Sequence, residues 1–497
     1  MKRIHLDPEA DDVALDPTLR VLRNDLDAVK RKRSEGHPLY VDLALPTDLD
    51  GILQFLDEFE VLDDLESLED PRKDPVVPFL SVILVVVCRF LMGLVSFQEV
   101  EQVLFRRPEI LKRLGFTLEL IEQGAYPSTG KAPCDAETLG EVIRTLGWEE
   151  IRKILVALIK RLRDANPKLF RGGRCIVDSN HFRAATRFAG GEQEERIESP
   201  EEKICVLMLW TPSGLIPLDF RIVRAGTGGE AETTCGQALI AQAFETYGRH
   251  LIKELIWDRG YLDGGWLREA EEKYGFRWIM GVKTDMVIYA DAIGLSRLPD
   301  ARWLSADPPK FGDPRKRPTR EICRVEGLET WEAYGKPLVG LVIRDTYADG
   351  TVVLQVAVTP WEKWNADQIH KRVRCRWDIE EVYGELTACW QLGSKGLARR
   401  ADTYRALVSL MILLYGVLRA YQVSGAAKRT LLAYQREAKL GPTHLIVRCG
   451  GAMAVVRPDE LNALINLDDR VALTATARTV LASEAKTARE AMMSRAP

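Results

Sequence analysis

The hydrophobic positions after residue 75 recur every three or four residues, which is the period of helices with one buried face. This spacing predicts helices near 79–95, 97–104, 107–114, 136–145 and 148–163. Asp135 is expected to cap the fourth of these helices, because its side chain can accept hydrogen bonds from the free backbone N–H groups of a first turn. The region is therefore predicted to be helical throughout.

The pattern changes from Arg174 onwards, where short apolar runs alternate with helical spacing. Strands are predicted first, with a hairpin turn at Thr211-Pro212-Ser213-Gly214 between the second and third. The predicted elements are strands at 174–179, 203–211 and 215–224, a helix at 232–248, a strand at 254–258, a helix at 265–274 and a strand at 276–282. This order predicts an α/β protein with an RNase H-like core, a mixed five-stranded sheet with flanking helices.

The remaining segments differ in character. Residues 284–364 lose helical periodicity and contain alternating runs, so they are predicted to be a β-rich insertion. A helix at 365–392, capped near Asn365 or Asp367, then returns to the core, and a helix at 404–420 is apolar nearly all round and therefore predicted to be buried. The predicted division is 1–75, acidic and loosely structured; 76–165, helical; 166–283, first part of the core; 284–364, insertion; 365–425, second part of the core; and 426–497, helical.

Composition and charge agree with a folded protein that has a basic body. The chain is 46% hydrophobic and 29% charged, and its longest apolar run, Val76 to Cys88, is too short to span a bilayer. The charged start, with Lys2 and Arg3, does not resemble a signal peptide, so a cytoplasmic protein without a membrane partner is expected. The nine scattered cysteines are expected to be buried free thiols.

The net charge of −4 does not exclude nucleic acid, because the charge is unevenly distributed. Residues 1–75 carry 10 Lys/Arg and 20 Asp/Glu, a net of −10, whereas the other 422 residues have a net charge of +6. Binding to phosphate depends on local basic patches rather than on the total charge.

Three acidic residues are candidates for catalysis. Asp178 and Asp258 each end an apolar run, and Glu380 lies on the predicted helix 365–392. An aspartate at a strand end is often only a turn or cap residue. Two such aspartates with a helix-borne glutamate are, however, what a two-metal phosphoryl-transfer site needs, because Mg²⁺ and Mn²⁺ prefer carboxylate oxygens. Glu230 and Glu232 form a rival acidic pair at a helix start.

At these residues the chain resembles the DDE transposases of bacterial insertion sequences, in the cut-and-paste group with a β-rich insertion before the catalytic glutamate. Asp258-Arg259-Gly260-Tyr261 is similar to the second-aspartate motif of the family. The third motif reads Tyr, two residues, Arg, three residues, Glu, six residues, Lys. Arg376 and Glu380 have this spacing, while Val373 stands at the Tyr position and Thr387 at the Lys position.

The resemblance implies a DNA transposase that cleaves DNA and transfers strands by a two-metal mechanism. Asp178, Asp258 and Glu380 would be the catalytic residues and would hold Mg²⁺, with Mn²⁺ as a possible substitute. The expected partners are double-stranded DNA, as transposon ends and target, and a second copy of the chain in a homodimeric synaptic complex near the nucleoid. The residues predicted to bind DNA or phosphate are Arg376, Arg372, Lys395, Arg315, Lys316 and Arg317.

The sequence is also compatible with other interpretations. Arg376 could instead form a salt bridge along the helix with Glu380, four residues later. The substitutions at Val373 and Thr387 are also compatible with a transposase-derived DNA-binding or regulatory protein that does not catalyse, and the same core could serve a nuclease without strand transfer.

Overall fold

The structure, a computed structural model, describes residues 25–43, 49–125, 132–182, 187–188, 196–197, 202–224, 229–309, 317–393, 400–426, 428–440, 445–456, 461 and 471–473. The chain divides into two units. The first comprises residues 1–145 and 429–497, and the second comprises residues 146–428.

The described helices are α1 Leu26–Ser34, α2 Leu49–Glu58, α3 Val61–Glu66, α4 Phe79–Met92, α5 Phe97–Val103, α6 Pro108–Arg113, α7 Leu118–Gln123, α8 Ala136–Thr145, α9 Trp148–Ala165, α10 Gly229–Tyr247, α11 Gly264–Tyr274, α12 Val287–Leu295, α13 Ala366–Cys375, α14 Trp377–Trp390, α15 Ala401–Val423 and α16 Leu431–Leu440. The described strands are β1 Leu39–Leu43, β2 Gly173–Phe182, β3 Arg187–Phe188, β4 Arg196–Ile197, β5 Glu202–Thr211, β6 Gly214–Arg224, β7 Ile252–Trp257, β8 Arg277–Gly281, β9 Trp303–Ala306, β10 Thr319–Leu328, β11 Leu338–Thr346, β12 Val352–Thr359, β13 Leu445–Cys449, β14 Ala452–Val456 and β15 Val471–Leu473.

The second unit is built on a nine-stranded sheet with the order β6-β5-β2-β7-β8-β12-β11-β10-β9. The first five strands form the predicted mixed sheet, in which β2, β7 and β8 run parallel and β5 runs antiparallel to both of its neighbours, β2 and β6. The predicted hairpin is also confirmed, since Thr211 pairs with Gly214. This is the RNase H-like α/β core that the order of elements predicts.

The insertion is β-rich, as predicted, but its strands do not form a separate sheet. Strand β12 pairs antiparallel with β8 through Ala357 with Gly281 and Val358 with Met280, and β11, β10 and β9 follow in order. The insertion therefore lengthens the core sheet beyond its fifth strand. A sheet edge leaves backbone groups unpaired, and the insertion covers the edge that β8 would otherwise present.

Helix α15 is the buried helix that its apolar sequence predicts. It is the one described helix long and apolar enough to cross a membrane unbroken, yet 89% of its apolar window is buried within the protein. It packs against α9 and β6, and residues such as Leu407 and Ile412 are fully enclosed. Its apolar surface is thus explained by its position in the core of the second unit.

The first unit confirms the predicted helices between residues 79 and 145, including the cap at Asp135, whose Oδ1 accepts from the Thr138 N–H at 2.6 Å. Two predictions for its ends are wrong. The segment 426–497 is not uniformly helical, because it contributes β13, β14 and β15. Within 1–75, predicted to be loosely structured, β1 pairs with β13 and β15, and the sheet order is β14-β13-β1-β15.

The small sheet of the first unit has its own apolar core, to which Val29 of α1, Val41 and Val447 contribute. The strands that meet here lie about 400 residues apart in sequence, as in the pairing of Val41 with Val447. Each is short and has little local signal, and only their association buries these side chains.

Candidate active site

Strand register brings the two aspartates side by side. Asp178 lies within β2, where it pairs with Val206 of β5 on one side. On its other side the parallel partner β7 ends at Trp257, which pairs with Val177. Asp258 therefore leaves the sheet directly beside Asp178. Asp258 thus follows the C-terminal end of β7, at a level where the neighbouring strand β2 still continues.

Asp258 is held by the turn it begins. Its Oδ2 accepts a hydrogen bond from the Gly260 N–H at 3.1 Å, and residues Arg259–Tyr261 form a short 3₁₀ turn. Tyr261 is buried and packs edge-to-face on Trp257, with ring centroids 5.5 Å apart. On its other side it contacts α10 so closely that a Cβ at Gly236 would lie 2.7 Å from its ring carbons. The turn is thus fixed by packing as well as by hydrogen bonding.

Glu380 lies on the second of two consecutive helical segments that Arg376 joins. The predicted helix 365–392 begins at Asn365 with a capping box, as expected, but it ends at Cys375 and resumes as α14 at Trp377. Arg376 forms the junction, where its N–H binds the Val373 carbonyl at 3.1 Å in a tighter, 3₁₀-type turn. Glu380 therefore lies in the first turn of α14.

Tyr383 ties this helix to the strand of Asp178. Its hydroxyl, on the buried face of α14, donates to the backbone carbonyl of Asp178 at 3.1 Å. Because Tyr383 is three residues after Glu380, it lies on the same side of the helix. No sequence motif singles out Tyr383, although its position about one turn after Glu380 is a usable signal.

Arg376 lies among the three carboxylates. Its Nη2 is 2.7 Å from Glu380 Oε1, and its Nη1 is 3.4 Å from Asp258 Oδ1 and 4.0 Å from Asp178 Oδ2. The guanidinium also lies 4.8 Å from the centre of the Trp377 ring. The predicted salt bridge to Glu380 is present, and it is part of a wider network that one cation makes with all three acids.

The electrostatics of the site are set by burial and by like charges. Burial, and then the charge of Asp258, raise the pKa of Asp178 to about 7, and the backbone N–H of Ser179 and the guanidinium of Arg376 only partly oppose this. The side chain of Asp178 is 14% exposed, compared with 38% for Glu380. The site therefore holds more negative charge than the protein neutralises.

The carboxylates fit a hard divalent cation by their chemistry. They are oxygen donors, the type that Mg²⁺ and Mn²⁺ prefer, and they converge closely enough for one guanidinium to reach all three. As arranged, no group of three or more His, Cys, Asp or Glu side chains in the described part of the chain is positioned to hold a metal ion. Binding would therefore require these side chains to readjust.

The other predicted phosphate-binding residues are not at the site or are not described. The Nη2 of Arg372 lies 2.7 Å from Glu254 Oε1, and its guanidinium stacks 4.0 Å from the Trp364 ring centre. Arg317 is exposed. Arg315, Lys316 and Lys395 lie outside the described residues.

The rival acid Glu232, at the start of α10, binds elsewhere. It accepts from the Ser179 hydroxyl and forms an ion pair with Lys203. Val373, which stands at the family's Tyr position, lines a cavity of about 580 Å³ beside the carboxylates together with Trp377, Tyr289 and Val353. Asp258, Arg376 and Glu380 also line this cavity, and no local sequence pattern indicated it.

Residues 170–415, which contain Asp178, Asp258 and Glu380, match the family described as Transposase DDE domain. No curated protein matches the chain. Among solved structures, the cryo-EM structure of a piggyBac transposase synaptic complex with hairpin DNA matches with 9% identity and a TM-score of 0.43, over 79% of this chain and 81% of that chain. Residues 170–415 are thus identified as a DDE transposase domain.

Proposed function

We propose that this protein is a DDE transposase that cleaves double-stranded DNA and joins the released 3′-OH to a target. The observation that carries the proposal is the convergence of Asp178, Asp258 and Glu380 on one cationic group, within a domain of the transposase family. Proteins of this family use divalent metals, and we propose that these three residues hold two Mg²⁺ ions, which Mn²⁺ could replace.

When bound, such ions acidify a water molecule and neutralise the phosphate during in-line displacement. The protein's part is to hold the three carboxylates in position. Asp258 is oriented by the Gly260 N–H and Asp178 by the Ser179 N–H at 2.8 Å, so each keeps its other oxygen for a ligand. The hydrogen bond from Tyr383 to the Asp178 carbonyl fixes the position of α14 relative to β2, and therefore the position of Glu380.

We propose two partners for this reaction. Double-stranded DNA is the substrate. The exposed Arg317, with Arg315 and Lys316 just before it in the sequence, would contact the DNA backbone, because clustered guanidinium and ammonium groups bind phosphate without regard to sequence. A second copy of the chain is the other partner. Cutting an element at both ends and joining both to one target is served by two active sites, which supports a homodimer.

The test is metal-dependent cleavage of plasmid DNA that carries the sequences flanking the gene. Asp178→Asn, Asp258→Asn and Glu380→Gln should each lower cleavage by at least about tenfold, because each removes a ligand charge, while DNA affinity is kept by the basic surface. Glu381→Gln is the matched control, since Glu381 is exposed and adjacent to Glu380. Cleavage by all three variants at the wild-type rate would refute the proposal.

A second candidate is a DNA-binding protein of the same family that does not catalyse. It is favoured by Val373 and by the exposed Thr387, which replace the family's Tyr and Lys on the two helices around Glu380. In the same assay this candidate predicts that the wild-type protein binds DNA and leaves it intact with either Mg²⁺ or Mn²⁺.

A further inference from the structure

Arg376 occupies the side of the carboxylates on which a metal ion would bind. Asp178 Oδ1 accepts from the Ser179 N–H and Asp258 Oδ2 accepts from the Gly260 N–H. The other oxygen of each aspartate, together with Glu380 Oε1, faces the guanidinium. The oxygens left free by the backbone are thus the ones that Arg376 contacts.

We propose that Arg376 is a resident cation that the site exchanges for metal. Its guanidinium holds the three carboxylates together before metal binds, and it leaves them when ions bind. This inference rests on the proposed function, because it assigns a regulatory role to an arginine within the same site.

The guanidinium and the ions compete for the same oxygens. Mg²⁺ requires carboxylate oxygens at about 2.0–2.1 Å in near-octahedral geometry, whereas Glu380 Oε1 is bonded to Arg376 Nη2 at 2.7 Å. A cationic side chain kept in that position would also repel a divalent ion across a short distance. Metal binding therefore requires the guanidinium to move.

The backbone of Arg376 is held in place, whereas its side chain has space to move. Its backbone is held at the junction between α13 and α14, where its N–H binds Val373 and its carbonyl accepts from Ile379 at 3.4 Å. Its side chain is 24% exposed and lies over Trp377, at the wall of the 580 Å³ cavity. Because Asp258 and Glu380 line the same cavity, rotation of the side chain within it can move the charge away from the carboxylate oxygens.

The exchange unites two roles that the sequence presents as alternatives. Paired with Glu380, Arg376 is a salt bridge that keeps the acids from repelling one another. Released by metal, the same guanidinium remains beside the site, where it can bind phosphate oxygens in a bidentate manner. Metal loading and phosphate binding are then coupled through one side chain.

The experiment measures Mn²⁺ binding to the full chain without DNA, from the loss of the free-ion electron paramagnetic resonance signal. Arg376→Gln removes the competing charge and keeps hydrogen-bonding capacity, so its Mn²⁺ affinity should exceed that of the wild type by about tenfold or more, a change of about 1.4 kcal/mol. Lys371→Gln is the matched control, because it removes one charge from the adjoining helix at a side chain that is 71% exposed. Its affinity should equal that of the wild type.

The sign of the change separates this mechanism from a purely structural one. If Arg376 only organised the carboxylates, Arg376→Gln would bind Mn²⁺ no better than the wild type, and the exchange would be overturned while the proposed function stood. Asp258→Asn, combined with Arg376→Gln, locates the ion and should abolish the gain. If Asp178→Asn, Asp258→Asn and Glu380→Gln all bind Mn²⁺ like the wild type, the metal is not at these residues, and both proposals fail.

Discussion

A methyl group at Gly236 should disturb the active site without touching any carboxylate. Gly236 lies in α10, and a Cβ there would be 2.7 Å from Cδ1 and Cε1 of Tyr261 and 3.5 Å from Cγ1 of Val177. Because carbon atoms pack best at about 3.5–4.0 Å, the buried tyrosine ring would have to retreat by about 1 Å. Tyr261 closes the turn that begins at Asp258, so this displacement should reach the aspartate.

The magnitude follows from two opposing terms. Overpacking a buried contact costs about 1–3 kcal/mol, whereas replacing a helical glycine with alanine recovers about 1 kcal/mol of helix propensity. Gly294 in α12 is a matched control, because an added Cβ there would have no atom within 4 Å. Gly294→Ala should therefore stabilise the protein by about 1 kcal/mol, and Gly236→Ala should be less stable than Gly294→Ala by about 1–3 kcal/mol.

The assay compares urea unfolding of the two variants, followed by tryptophan fluorescence, with DNA cleavage measured on the folded proteins. Gly236→Ala should lose up to about a hundredfold in cleavage rate, because a displacement of about 1 Å in a catalytic group can have that effect. Gly294→Ala should cleave like the wild type. Equal stability of the two alanine variants, or full activity of Gly236→Ala, would show that Tyr261 does not set the position of Asp258.

Three further outcomes are expected. Tyr383→Phe should lower the unfolding free energy by only about 1 kcal/mol, the value of one hydrogen bond. It should nevertheless reduce the cleavage rate by about tenfold or more, because α14 would be misplaced. An unchanged cleavage rate would contradict this. Arg320→Ala should lower the free energy of unfolding in urea by about 3–5 kcal/mol, because it leaves the Asp345 carboxylate, 3% exposed, without its ion-pair partner. Burial, with the charges of Arg320 and Arg374, lowers the pKa of His370 to about 4. Below about pH 6.5 the unfolded chain takes up this proton more readily than the folded protein, so stability should fall as the pH is lowered from 6.5 to 4, by at most about 1.4 kcal/mol per pH unit. His370→Gln should remove this contribution, as measured by unfolding across that range.

The sequence by itself determined the elements of the core and the residue types of its candidate site. Periodicity is a local property, because a helix or strand repeats its buried positions every few residues. The hairpin at Thr211–Gly214, the cap at Asn365 and the order of the five core strands could all be predicted for this reason. The three acids could be identified because each follows or lies within such a pattern.

Tertiary structure alone decided which distant groups meet. Arg372 contacts Glu254 across 118 residues of sequence, and β1 finds β13 across about 400. The three acids meet in the same way, since Glu380 on α14 and two aspartates on separate strands converge on Arg376. Such contacts depend on how the sheet and helices pack together, and their energies appear only once the partners are buried side by side. The local pattern of residues 365–392 predicts a helical run that carries Glu380, whereas only the assembled core places Arg376 between three carboxylates.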